Sequence, residues 1–93
     1  KKAVDGGIRY VIQGNGSAVA LALADAIGKH NERNPSQSVL YFNYAAVDPE
    51  PANSRCSFWH FRFDANSDMK MEALTTELAR DRSIRKVYLV NQN

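Results

Sequence analysis

Hydrophobic and polar positions alternate between short apolar runs and two longer periodic stretches. Residues 8–13 (IRYVIQ) are rich in β-branched and aromatic side chains, with Gly6-Gly7 before them and Gly14-Asn15-Gly16 after. This predicts a strand that enters a tight turn. Beyond Ser17, the residues Val19, Leu23, Ala26, Ile27 and His30 recur at the spacing of one helical face. Ser17 is placed to cap that helix, since its hydroxyl can accept from the free N–H groups of the first turn. Asp25 and Lys29 form an i, i+4 pair on the exposed side. The opening turns, AVALALA, are apolar nearly all round, so this end is expected to be buried. Asn34-Pro35 ends the helix, because proline has no N–H and restricts the residue before it.

Residues 38–43 (SVLYFN) form a second strand, apolar enough to be covered on both faces. Asp48-Pro49-Glu50-Pro51 removes two backbone donors and predicts a loop to about Arg55. Residues 57–63 (SFWHFRF) read as a short aromatic strand whose rings pack in the core. Ser67 or Asp64 caps a second helix reaching about Arg82, with Met71, Leu74 and Leu78 on its buried side. Residues 86–90 (KVYLV) are the last strand. Strands alternating with amphipathic helices predict an α/β fold: a parallel sheet with right-handed crossovers and helices on both faces, three layers in all. In such sheets ligands lie beyond the carboxyl ends of the strands. Here those ends are residues 14–17, 43–48 and 91–93.

The chain has 93 residues, enough for one compact unit. A net charge of +2, with both signs spread evenly, gives no reason to expect a nucleic acid or an anionic membrane as partner. The longest apolar run, residues 18–24, falls far short of the roughly 20 residues that span a bilayer. One cysteine, Cys56, excludes an internal disulfide framework and a cysteine-rich zinc site. Its thiol is expected to be buried or paired with a cysteine outside this sequence. The absence of a starting Met and a strand at the very end suggest an internal piece of a longer protein. Such a piece is expected to self-associate, through open strand edges and uncovered apolar surface.

The stretch Gly14-Asn15-Gly16-Ser17 holds the best candidate chemistry. Two glycines let the backbone approach a ligand, and the helix start offers free N–H groups and a positive dipole end to a carboxylate or phosphate. The spacing matches neither a dinucleotide fingerprint nor a Walker loop. A tight turn with a capping serine is the plain structural alternative. At residues 43–48 (NYAAVD), the small Ala45 and Ala46 leave room for a ligand beside exposed backbone; a simple strand-to-loop junction is the alternative. His30 and His60 lack partners at metal-ligand spacing, and Ser17 has no nucleophile-elbow context. No metal, cofactor or catalytic group is assigned. Asp64 and Asp68 read as caps, and Met69 and Met71 as packing.

Four runs in order, YVIQGNGSAVALALADAIGKHNERNP, VLYFNYAAVDPE, CSFWHFRFDANSDMKMEAL and KVYLVNQN, resemble the first lobe of periplasmic substrate-binding proteins of the branched-chain amino acid transport type. The resemblance implies a partial lobe of the type I periplasmic-binding fold. The opening strand and helix of the lobe, the hinge segments and the whole second lobe would then lie outside this sequence. It further implies that Ser17, with Gly16 before it, binds an α-carboxylate, and that the Ala45 carbonyl meets the ligand ammonium. Val47 stands where the family often has Thr or Ser, so its N–H can serve while a hydroxyl contact is lost. Tyr44, larger than its usual counterparts, would line the cleft mouth.

The function so implied is solute capture, not bond-making chemistry. An amino acid or related small carboxylate or amide would be held between two lobes in the periplasm, then passed to the membrane permease of an ABC transporter. A sensor or receptor of the same fold is the first rival. An enzyme using residues 14–17 for phosphate or a nucleotide is the second.

Overall fold

In a computed structural model, the structure describes residues 1–90. A short helix α1 (Lys2–Asp5) leads to strand β1 (Tyr10–Gln13), helix α2 (Ser17–Arg33), strand β2 (Leu40–Asn43), strand β3 (His60–Arg62) and helix α3 (Ser67–Arg80). Single 3-10 turns at Pro35–Gln37 and Glu50–Ala52 interrupt the two loops around β2. The three strands form one parallel sheet in the order β1-β2-β3. The expected α/β class and parallel sheet are therefore present, with each strand shorter than its apolar run. α1 is an element that the residue pattern did not signal.

α2 lies on one face of the sheet, and the core is the seam between them: Ala20, Ala24 and Ile27 against Val39, Tyr41 and Ala46, with Val4, Val11, Leu23 and Trp59 packed at the margin. The buried stripe of α2 is Ala20, Ala24, Ile27 and Asn31, rotated by about a quarter turn from the stripe through Val19 and Leu23 that periodicity suggests. Two causes act together. The alanines let the helix axis approach the sheet closely. Asn31 then fixes its rotation, because its side chain donates to the Val39 carbonyl at 2.9 Å and accepts from the Val39 N–H at 2.8 Å. Asp25 pairs with Arg55 at 3.1 Å and not with Lys29.

The other sheet face carries Tyr10, Ile12, Phe42, Phe61 and Phe63. Phe42 stacks with Tyr10, Phe61 and Phe63 at ring-centroid distances of 6.3, 5.8 and 5.8 Å. This face is open: Tyr10, Ile12 and Phe63 are 67%, 71% and 72% exposed. The aromatic run at residues 57–63 is thus not core as a whole, because Phe61 and Phe63 fall on the uncovered face. Trp59 packs against the core, and the His60 ring stacks on the buried Tyr41.

α3 begins at an Asn66 cap, whose side chain accepts from the Met69 N–H at 2.8 Å. Ser67 and Asp64 are not the cap; Asp64 pairs with Lys70 instead. No residue of α3 is buried, so it covers neither sheet face. Residues 86–90 form no strand and are exposed. A strand after a crossover helix returns to the sheet only if that helix packs on it, and α3 does not. Cys56 is exposed, which corrects the buried reading. The strand-end candidates at 91–93 lie outside the described residues.

Candidate functional site

The carboxyl ends of β1 and β2 lie side by side, with Gln13 opposite Asn43 in the register. This brings the turn at residues 14–16 and the start of α2 next to residues 44–48. Ser17 is the first residue of α2, and Gly16, in extended conformation, is its N-cap. The Ser17 hydroxyl therefore does not cap its own helix. It reaches across and accepts from the Asp48 N–H at 3.3 Å, which leaves its proton available to an incoming acceptor. The N–H groups of the first turn have no intrahelical partner by helix geometry. Asn15 accepts from the Gly16 N–H at 2.8 Å.

After β2 the backbone turns around the Asn43 side chain, which is wholly buried. Asn43 Oδ1 accepts from the N–H groups of Ala45 and Ala46 at 3.1 and 2.8 Å, and Nδ2 donates to the Ala46 carbonyl at 3.1 Å. The Ala45 carbonyl and the Val47 N–H have no partner among the described residues. The Val47 carbonyl accepts from the Ser67 N–H at 2.8 Å, which ties this turn to the start of α3. Arg62 Nη1 donates to the Asp48 carbonyl at 2.8 Å.

Tyr44 is 59% exposed and lays its phenol over Gly14, where any Cβ would overlap the ring. Gly14 is thus needed for close approach and not for a special backbone angle. Ser17, Ala45 and Val47 are half-buried, and Gly16 is exposed. The five residues singled out from the sequence share one end of the sheet, around a shallow rim. Two concavities lie elsewhere. One of about 600 Å³ runs between α1 and the later half of α2, and one of about 530 Å³ lies between α2 and residues 55–59. Gln13, Asn43 and Arg62 were missed by sequence reasoning. The signal was a polar residue closing each of two apolar strands.

A family profile described as periplasmic binding protein matches residues 1–93. The chain belongs to the periplasmic binding protein family. It is 35% identical over 95 aligned residues to the Leu/Ile/Val-binding protein homolog 4 of Brucella abortus (strain 2308), and equally to those of Brucella suis biovar 1 (strain 1330) and Brucella melitensis biotype 1. Each alignment covers 100% of this chain and 23% of the relative, so the chain spans about a quarter of the length of the curated relatives it matches. No solved structure matches. The family is one of binding proteins, not of enzymes, and the parallel sheet with its helices is part of a type I periplasmic-binding lobe.

Proposed function

We propose that this chain supplies one wall of the solute site in the binding component of an ABC transporter, and that the solute is an amino acid or a related small carboxylate or amide. One observation carries the reading. The Ser17 hydroxyl and the first-turn N–H groups of α2 lie at the same end of the sheet as residues 45–47, and the Asp48-to-Ser17 hydrogen bond joins the two turns. Donors at a helix start favour a carboxylate, and a free carbonyl favours an ammonium. The names of the Brucella relatives support a branched-chain amino acid. Val47, which offers an N–H but no hydroxyl, favours departures from that ligand.

Capture follows from closure of a second lobe over this rim, with the solute binding the closed state more tightly than the open one. The full-length protein acts in the periplasm and hands the solute to a membrane permease. The test is calorimetry on the full-length protein with a panel of amino acids. Ser17→Ala is expected to lower affinity about tenfold, as for loss of a hydrogen bond to a charged group. An unchanged affinity would leave the serine with only its tie to Asp48.

A further inference from the structure

The three strands end in register on polar residues: Gln13 stands opposite Asn43, and Asn43 opposite Arg62. All three lie on the sheet face that α2 covers, and Gln13 and Asn43 are buried there. Each side chain turns back onto the backbone of the rim. Gln13 Nε2 donates to the Gly16 carbonyl at 3.4 Å, and its Oε1 is held by the buried Tyr41 hydroxyl at 3.1 Å. Asn43 takes up both N–H groups of Ala45 and Ala46 and the Ala46 carbonyl. Arg62 holds the Asp48 peptide by its carbonyl, while Ser17 holds the same residue by its N–H.

The consequence is selective satisfaction. Buried polar groups left unpaired are costly, so the row saturates those that face inward. Among the groups of these two turns left without a partner in the described residues are the Ser17 hydroxyl proton, the Ala45 carbonyl and the Val47 N–H. Apolar strand ends could pack against α2 equally well, but they could not hold these turns in one arrangement.

We propose that Gln13, Asn43 and Arg62 form a row of positioning residues, which fix the Gly16, Ala45–Val47 and Asp48 backbone so that its free groups meet a single solute. The proposal rests on the solute-binding reading above. Its test uses the full-length protein with two variants, Arg62→Met, which keeps the stem and removes the donor, and Arg62→Lys, which restores a donor. Calorimetry with L-leucine is paired with hydrogen exchange of the Asp48 amide in ligand-free protein. Arg62→Met is expected to lower L-leucine affinity about tenfold and to speed Asp48 exchange at an almost unchanged melting temperature. Arg62→Lys is expected to return both to within about threefold of the parent.

Unchanged exchange and affinity in Arg62→Met would overturn the proposal. So would equal losses in both variants that track an equal fall in melting temperature, since that marks a structural role alone. If the parent does not take L-leucine, the branched-chain ligand is excluded while the wider solute class stands, and the exchange measurement decides the positioning by itself. Should Arg62→Met fail to fold, Asn43→Asp replaces it; this keeps the acceptor for Ala45 and Ala46, removes the donor to the Ala46 carbonyl, and is expected to speed exchange of the Ala46 amide that the side chain holds.

Discussion

His60 faces the α2 side of β3, stacked on the buried Tyr41 ring at 4.8 Å. Its Nε2 is buried and has no hydrogen-bond partner among the described residues. Burial pushes its pKa below the ordinary 6.5; the Pro51 carbonyl works against this and the Arg62 charge adds to it. In the unfolded chain the imidazole takes up a proton near its ordinary pKa, whereas the folded chain resists until lower pH. The unfolded state then binds more protons, so stability is fully present above about pH 6.5 and falls as pH drops toward the folded-state pKa. Thermal melts from pH 7.5 to 5 should show this loss, and His60→Phe should flatten it. A slope that survives the substitution would assign the effect to other groups. No local residue pattern assigns His60 this place. It alternates with Trp59 and Phe61 along the strand, and only the register set its ring on Tyr41.

At the scale of elements, the link between α2 and β2 depends on Asn31 as much as on apolar contact. The paired bonds from its side chain to both backbone groups of Val39 lie in a region where Asn31 and Val39 are 2% and 0% exposed. Asn31→Ala strands two buried backbone groups and should cost about 2–4 kcal/mol. Urea unfolding of parent and variant checks this, and a loss under about 0.5 kcal/mol would show that water replaces the side chain. α3 offers the opposite case. Its cap and its Met71, Leu74 and Leu78 spacing were legible, and the helix forms, yet nothing covers it in the described structure. An isolated helix of this length is marginal in water, so α3 amides in this chain should exchange far faster than those of α2. Comparable protection would mean that α3 docks in solution.

For the whole molecule the decisive feature is uncovered apolar surface. The Tyr10, Ile12 and Phe63 face of the sheet and Met71 and Leu74 of α3 are all more than half exposed. The extents of 57 × 24 × 18 Å describe an elongated body, not a closed lobe. At high concentration the 93-residue chain should form dimers or larger species that bury these faces. Light scattering that shows a monodisperse monomer at millimolar concentration would refute this.

The sequence by itself determined the elements β1, α2, β2, β3 and α3, the parallel α/β class, and the two strand-end turns at residues 14–17 and 43–48. Those depend on local preferences: β-branched runs, helical spacing, and the Gly and Pro positions that end each element. The tertiary structure alone decided which face of α2 is buried, because close approach through Ala20 and Ala24 and the Asn31 bonds outweigh the larger Val19 and Leu23. It also decided that Ser17 reaches Asp48 and that Gln13, Asn43 and Arg62 stand in one row. Those facts depend on register and on contacts between residues up to 31 positions apart, and no local pattern encodes them. Residues 86–90 show the limit from the other side. Their β preference is strong, but a strand exists only where a neighbouring edge accepts its hydrogen bonds.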